Sequence, residues 1–494
     1  MSILYSRWTD TTVFLCVALF MLLIGCYPQH VFYIDTDAPV TGDFLLPSSS
    51  ANITDNARDA AIDTVRVDVL GATGELLDVC EFSVPDRRDW PLSFGMAPGP
   101  YDGTTFLRVR GFRRDLAITA RIAGFKAHCG QQVPDGTTVD VLEPRSEVTI
   151  DRLASVPPIG RQRNHYTIRL ALACMGAPSD SLRKTTCWDE ANRTVPVQHD
   201  LDAGSIDEGR TTVGSSAWAK EVPTCSRPAP GGVSAICIPG GFSIMGDLHH
   251  DIISGYPFKT TPLRAIALSP FYLDQTEFTV GRMRSTLAKY PTIKPPSNKN
   301  STDTYGKYCT WDSATNPAMP VNCISWDSAR AACKAAGGDL PTEAQWEHAA
   351  RGRGRGWLFP WGNTAPTCCQ VSIFRKSPDF PNAQCRTLGE GPAAVGTYNG
   401  VGCPEGADRS RDGVLDMGGN VREALLDSFS PYADRCGLDT GVTRDPICWL
   451  DYVLPRASRG SDWSAGQLSA YSDQRSLHTN NIVGGFRCAY VGVQ

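Results

Sequence analysis

The chain has 494 residues, of which 20% are charged, and its formal net charge is −5. The charges are spread along the chain without long runs of one sign. This pattern argues against a nucleic-acid-binding protein and against a basic membrane-binding surface. The length and the hydrophobic content of 41% fit a globular protein of about two to four domains.

An apolar run from Val13 to Gly25 follows Arg7 near the start of the chain. The run is shorter than the roughly 20 residues that a transmembrane helix needs, and it matches the apolar part of a signal peptide. It ends in Leu-Ile-Gly-Cys26, which resembles a bacterial lipobox. We therefore predict a signal peptide over 1–25, lipidation of Cys26, and an exported protein attached to a membrane of the bacterial cell envelope. An ordinary cleaved signal or a short anchor is the alternative.

Eighteen cysteines are present. Setting aside Cys16 in the leader and Cys26 at the lipobox leaves an even number, which in an exported chain indicates disulfides. Metal-binding Cys-x-x-Cys pairs and histidine clusters do not occur in the sequence. Local loops could be closed by four pairs: Cys174–Cys187, Cys225–Cys237, Cys309–Cys323 and Cys436–Cys448. Sequence cannot choose among the three connectivities open to Cys368, Cys369, Cys385 and Cys403.

The first half of the chain predicts an all-β region. Residues 26–57 are polar and indicate a tether, and residues 174–227 show little periodicity and indicate an irregular linker. Between them, residues 58–173 contain short runs with period-two alternation, separated by Gly, Pro and Asp, which favours an antiparallel β-sandwich-like domain. The predicted strands are 64–69, 106–110, 117–122, 138–141, 147–150 and 166–172.

Three helices are predicted in the second half. Ser325 can cap a helix from Trp326 to Ala336, which Gly337 and Gly338 then end. Thr342 and Gln345 form a capping box for a helix through residue 351. Thr279 can cap a third helix that runs toward residue 290. The remainder is rich in Gly and Pro and predicts ordered loops with short strands.

Several strings in residues 228–494 share one order with a known family. The most specific are Leu340-Pro-Thr-Glu-Ala-Gln-Trp-Glu-His-Ala-Ala-Arg351, Asp416-Met-Gly-Gly-Asn-Val-Arg-Glu423 and Gly485-Phe-Arg-Cys488. Together they resemble the formylglycine-generating enzyme, or sulfatase-modifying factor, family. The resemblance implies an α+β, loop-rich, C-type-lectin-like fold over 228–494. It also implies a disulfide between Cys333 and Cys488.

In that family two cysteines bind copper, and the enzyme oxidises a substrate cysteine to formylglycine. Those positions fall on Ser464 and Ser469, or on Ala465 and Ala470. Hydroxyl and methyl groups cannot replace the thiolates that Cu(I) requires. We therefore predict no copper and no formylglycine-generating activity. A second branch of the superfamily uses iron and needs His-x-x-x-His-x-Glu, which the sequence lacks, so no iron is predicted either.

Calcium is the metal that the resemblance supports. The string from Asp416 to Glu423 matches the family's calcium loop, with side-chain oxygens from Asp416 and Glu423 and backbone carbonyls from Gly419 and Val421. The alternative is a metal-free loop in which the two carboxylates pair with Arg409, Arg411 or Arg422. His249 and His250 are adjacent and indicate a solvated loop, and His348 indicates a structural histidine.

Together these features predict a lipoprotein whose family domain has lost catalysis and binds or scaffolds at the cell envelope. Its ligand would be a protein or a glycan, and nucleic acid is excluded. Candidate groove residues follow the Gly-Ser of the family pattern: Asp462, Trp463, Tyr471 and Arg475. Trp463 and Tyr471 could instead be core residues. The competing hypothesis is an enzyme that uses a different chemistry in the same groove.

Overall fold

The structure is a computed structural model. It describes residues 30–38, 40–41, 61–85, 89–96, 105–156, 165–188, 194–197, 224–226, 229, 234–246, 260, 263–297, 306–312, 314–353, 357–375, 385, 389–432, 436, 442–450, 455–465, 475–477 and 484–492. The chain divides into two compact units. Unit 1 comprises Met1–Glu221 with Thr440–Val442, and unit 2 comprises Val222–Asp439 with Thr443–Gln494.

Unit 1 is built from strands. They are β1 (His30–Thr36), β2 (Thr64–Leu70), β3 (Leu76–Ser83), β4 (Leu92–Met96), β5 (Thr105–Phe112), β6 (Ala117–Ala123), β7 (Ala127–His128), β8 (Gln131–Gln132), β9 (Thr138–Pro144), β10 (Ile150–Val156), β11 (His165–Leu170), β12 (Thr185–Thr186) and β13 (Val195–Pro196). One sheet has the order β11-β1-β4 and another has the order β10-β5-β2-β3-β7-β8. Phe82 of β3 stacks on Phe94 of β4 with ring centroids 6.5 Å apart, which brings the two sheets into contact.

Three parts of the sequence-based description of unit 1 are wrong. The predicted tether over 26–57 contains β1, because Phe32 and Ile34 alternate with less buried residues and enter the core at 0% exposure. The predicted strand 147–150 is displaced, since residues 146–148 form a 3₁₀ turn and β10 begins at Ile150. The sheets are also not purely antiparallel, because β1 pairs with β11 in parallel.

The strand predicted over 64–69 is present as β2, but it is buried on both faces rather than one. Its valines face the core, while Arg66 and Asp68 are buried and Arg66 contacts β9 of the two-stranded β6–β9 sheet. Arg66 donates to Asp68 at 2.7 Å and to Glu143 of β9 at 2.9 Å. Arg110 of β5 donates to both carboxylates at 2.6 Å. These ion pairs therefore offset the desolvation cost of burying this polar face.

Within the residues that the structure describes, unit 2 holds three α-helices and the remaining strands. They are β14 (Ala235–Ile238), β15 (Gly241–Met245), β16 (Arg264–Leu268), β17 (Phe271–Asp274), α1 (Val280–Lys289), α2 (Trp326–Ala335), α3 (Glu343–Ala350), β18 (Arg422–Ser428), β19 (Thr443–Arg444), β20 (Arg456–Arg459), β21 (Arg475–Leu477), β22 (Gly484–Gly485) and β23 (Ala489–Val491). The sheets have the orders β14-β17-β23, β15-β16-β19 and β21-β20-β18-β22. No helix within the described ranges is long and apolar enough to cross a membrane.

The predicted helix caps in unit 2 are confirmed. The side chains of Thr279 and Ser325 accept from the backbone N–H of Arg282 and Ser328 at the starts of α1 and α2. Thr342 and its partner three residues later form the complete capping box of α3. These bonds satisfy N–H groups that the first helical turn leaves without partners. They position α3 so that Trp346, at 0% exposure, reaches the centre of the unit.

Candidate functional site

The loop before β18 carries the string that resembles a calcium site. Asp416 and Asn420 have φ values of 61° and 69°, in the left-handed region that Asp and Asn tolerate better than most residues. Asp416 Oδ2 accepts from the backbone N–H of Gly396 at 2.6 Å. Both carboxylate oxygens of Asp408 accept from the N–H of Gly418 at 3.0 Å. Backbone donors therefore hold two carboxylates inward at this loop.

Glu423, the other predicted carboxylate ligand, is engaged by protein groups. Arg487 Nε and Nη2 donate to its two oxygens, each at 2.6 Å, and Trp346 Nε1 donates to Oε2 at 2.8 Å. The partner is thus the arginine of the Gly-Phe-Arg-Cys string. Arg422, one of the partners considered from sequence, instead donates to Asp462 at 2.8 Å. Both residues of the Glu423–Arg487 pair are almost fully buried, and the bidentate geometry compensates the desolvation of the two charges.

Glu277 joins this cluster from the segment between β17 and α1, and sequence reasoning missed it. Its Oε1 accepts from Val421 N at 3.0 Å and its Oε2 accepts from Asn420 Nδ2 at 2.8 Å. No local sequence signal places Glu277 at this site, because it lies 143 residues before Asn420 and only the fold brings the two segments together.

The cluster carries more buried negative charge than its arginine neutralises. Burial, together with the negative charges of Asp416 and Glu423, raises the pKa of Glu277 well above its usual range. Burial and the charge of Asp416 have the same effect on the pKa of Asp408. Burial also raises the pKa of Asp416 to about 6. Excess carboxylate oxygen in a closed loop is the donor chemistry that a hard cation prefers.

The predicted groove residues are buried where the structure describes them. Asp462 is 2% exposed, and its Oδ1 accepts from the backbone and the hydroxyl of Ser464 at 2.9 and 2.6 Å. Trp463 is 1% exposed and packs against Tyr308 with ring centroids 4.5 Å apart. Trp463 is therefore a core residue. Tyr471 and the side chain of Arg475 lie outside the described residues.

Sixteen cysteines form eight disulfides. The structure joins Cys333 to Cys488 with 5.3 Å between their Cα atoms, inside the range that a disulfide allows. The four cysteines that sequence left open pair as Cys368–Cys385 and Cys369–Cys403. The four local pairs proposed from sequence are present, and a further pair joins Cys80 to Cys129. The cysteines that flank the position of the family's copper thiolates, Cys448 and Cys488, are therefore both oxidised.

His348 is a structural residue in α3. Its Nε2 lies 3.1 Å from the carbonyl oxygen of Pro239, which can only accept, so this nitrogen carries the proton. Nδ1 then accepts from the hydroxyl of Ser243 at 2.5 Å. Burial lowers the pKa of His348 to about 4. His249 and His250 lie outside the described residues.

Unit 2 is therefore a loop-rich domain that is cross-linked by disulfides and has few helices and short strands. Residues 222–491 match the family model of the sulfatase-modifying factor enzyme 1-like domain. The chain belongs to this family, and unit 2 has its C-type-lectin-like fold.

Two curated relatives of the chain carry different descriptions. The formylglycine-generating enzyme of Streptomyces coelicolor is 28% identical over 304 residues, which cover 51% of this chain and 87% of that protein. The inactive C-alpha-formylglycine-generating enzyme 2 of Mus musculus is 30% identical over 173 residues, covering 35% of this chain and 49% of that protein. The chain thus spans about half the length of this second relative. Among solved structures, PvdO from Pseudomonas aeruginosa aligns with 19% identity and a TM-score of 0.39 over 52% of this chain and 94% of that chain.

Proposed function

We propose that this protein is a non-catalytic member of the sulfatase-modifying factor family that binds or scaffolds a partner at the bacterial cell envelope. One observation carries the proposal: eight disulfides account for sixteen of the eighteen cysteines, and Cys16 and Cys26 are the other two. The oxidation that the family performs needs thiolates to bind Cu(I), because soft sulfur ligands select that ion. A disulfide sulfur carries no such charge.

The relatives named as inactive support this proposal, while those named as formylglycine-generating enzymes supply the activity to test. The test incubates the mature chain with Cu(I), a reductant and a peptide containing Cys-x-Pro-x-Arg, the target that the family resemblance implies. Mass spectrometry of the peptide should show unchanged cysteine. Aldehyde formation that depends on this protein would refute the proposal.

We further propose that calcium binds at the loop before β18. The balance of charge favours a cation here, because Glu277, Asp408 and Asp416 are buried carboxylates in excess of the arginine that faces them. Asp416 and the carbonyls of Gly419 and Val421 would hold the ion, whereas the oxygens of Glu423 are engaged by Arg487 and Trp346. Calcium would neutralise the cluster and brace the loop.

Membrane attachment through Cys26 completes the proposal. The lipobox-like string that ends at Cys26 supports it. A lipidated residue 26 would retain the protein at a membrane while both units face solvent. Membrane fractionation of a Cys26→Ser variant tests this part independently of copper and calcium.

A further inference from the structure

The two-stranded β6–β9 sheet of unit 1 has an open edge. Its strands pair in register from Ala117 with Pro144 to Ala123 with Thr138, and within the described residues β6 pairs with no other strand. None of the seven residues of β6 is buried. An edge strand of this kind presents backbone N–H and C=O groups with which another strand can pair.

The hydrogen bonds of Leu142 show which backbone groups of β6 face outward. Leu142 lies opposite Thr119. Its N–H donates to Glu81 Oε1 at 2.5 Å and its carbonyl accepts from Arg66 Nη1 at 3.1 Å, so both groups bond to partners other than β6. Opposite pairs in an antiparallel ladder alternate between hydrogen-bonded and non-hydrogen-bonded, and Thr119 therefore belongs to a non-hydrogen-bonded pair. The N–H and C=O of Thr119, and those of Arg121 two residues later, face away from β9.

The sequence of β6 is nearly symmetrical about Ala120. It reads Ala-Ile-Thr-Ala-Arg-Ile-Ala, and only its third and fifth residues differ when the order is reversed. Two antiparallel copies aligned on Ala120 place Thr119 of each copy opposite Arg121 of the other. These are the residues whose backbone groups face outward, so each pair can exchange two N–H···O=C bonds. The strand is thus complementary to a second copy of itself.

Ile118 supplies the apolar contact of this arrangement. It shares one face of β6 with Ala120 and Ile122, because successive side chains of a strand alternate between faces. Ala120 and Ile122 pack against the core cluster around Phe125, whereas Ile118 is 56% exposed. In the aligned copies, Ile118 of one copy lies opposite Ile122 of the other in a non-hydrogen-bonded pair, where side chains come closest. Pairing therefore covers an isoleucine that each single copy leaves exposed.

The charges of the edge are compatible with self-association. Arg121 is the charged residue of β6, and it lies opposite Asp140 of β9 while its Nε donates to Thr138 Oγ1 at 3.1 Å. In the aligned copies the two Arg121 residues are diagonal neighbours, about 7–8 Å apart, rather than directly opposite. The strand contains neither Lys nor Pro, the residues that commonly prevent edge strands from pairing.

We propose that two copies of this protein associate through β6, antiparallel and with the two-fold axis at Ala120, to form a continuous β9-β6-β6-β9 sheet. The contact is confined to one strand edge, and interfaces below about 1,200 Å² belong to weak or transient complexes. The dimer should therefore dissociate on dilution. This inference is independent of the proposed function and adds to it the way in which copies of the chain assemble.

The first test is sedimentation velocity of the full chain over a concentration series, in the Cys26→Ser background so that no lipid contributes. The chain should convert from monomer to dimer as the concentration rises. Thr119→Pro removes an outward N–H from each copy and leaves the ladder with β9 intact, so it should weaken the dimer by about tenfold or more. Thr119→Val keeps the N–H and is the matched control, which should associate as the parent chain does. Unchanged thermal melting shows that both variants fold.

The second test concerns the register. Two Ala120 residues in a directly opposite, non-hydrogen-bonded pair have Cα atoms about 4.5 Å apart, within the roughly 4.4–6.8 Å that a disulfide allows. Mild oxidation of Ala120→Cys should therefore give a covalent dimer on a non-reducing gel. Ala123→Cys is the matched control, because the two residues 123 would lie about 20 Å apart along the strands and should not be linked.

Three results would overturn the inference: a chain that stays monomeric at every concentration, a dimer that Thr119→Pro does not weaken, or cross-linking of Ala123→Cys as readily as Ala120→Cys. A monomeric chain that binds a strand of another protein, with loss of that binding in Thr119→Pro, would assign the edge to a different partner and also overturn it. The aldehyde assay is unaffected by these outcomes, so failure here is distinguishable from failure of the proposed function.

Discussion

The disulfide between Cys333 and Cys488 should be the most stabilising covalent link tested in unit 2. The two residues are 155 positions apart. A cross-link removes loop-closure entropy from the unfolded chain, and for a loop of this length the chain-entropy relation gives about 5 kcal/mol at 25 °C. The Cys436–Cys448 pair spans 12 positions, for which the same relation gives about 3 kcal/mol. The long link should therefore contribute about 2 kcal/mol more to the free energy of unfolding.

The perturbation is the double change Cys333→Ala with Cys488→Ala, compared with Cys436→Ala and Cys448→Ala as the matched control. Urea unfolding of the protein, followed by tryptophan fluorescence, measures the stability of both variants. Beyond the larger loss of stability, the first variant should show a larger dependence of the free energy on urea, because its unfolded chain is less compact. Alanine is used because Cys333 and Cys488 are fully buried, where a serine hydroxyl would add a cost of its own.

The reasoning would be refuted if the long-loop variant lost no more stability than the short-loop variant. That result would mean that residual structure already holds the two segments together in the unfolded chain. Loss of folding in the first variant at room temperature would agree with the prediction, provided that the control variant folds.

Three further predictions concern other parts of the chain. His348 is neutral in the fold, with a pKa of about 4 against 6.5 in the unfolded chain. It therefore contributes about 3 kcal/mol to the free energy of unfolding above pH 6.5, and this contribution is lost as the pH falls toward 4. Urea unfolding should show that His348→Gln loses less stability over this window than the wild type does, and equal losses would contradict this. Calcium should raise the melting temperature of the wild type, and Asp416→Ala should abolish the shift; no effect of a chelator on the wild type would rule out calcium binding. Cys26→Ser should release the protein from membranes, and retention of this variant through high-salt and carbonate washes would show that lipidation is not the anchor.

Local signals were enough to predict much of unit 2. Helix starts at Thr279, Ser325 and Thr342 follow from side chains that bond their own first turn, so no distant residue is needed to define them. Arg487 and Glu277 could not be placed in this way. Their roles arise because a segment near residue 487 and another near residue 277 meet the loop before β18, and no local pattern encodes that meeting.

In unit 1 the sequence predicts a strand correctly but does not predict what covers its polar face. The alternation of Thr-Val-Arg-Val-Asp-Val predicts a strand with a solvated polar face. The face is instead covered by the two-stranded β6–β9 sheet, and Arg66 and Asp68 are buried in ion pairs. Periodicity identifies which residues share a face, but it does not say what will cover that face. For β1 the alternation was present in the sequence, yet the polar residues around it indicated a tether.

Unit 2 cannot complete its core until residues 484–491 are available. The strand β23 pairs with β17 more than 200 residues earlier, and Arg487 donates to the carbonyl oxygens of Asp274 and Leu415 at 3.0 and 2.9 Å. While this segment is still inside the ribosome, the apolar surfaces of β17 and α2 have no final partner. Folding of the domain therefore waits for this segment, and until it emerges the apolar surfaces of β17 and α2 are exposed to aggregation.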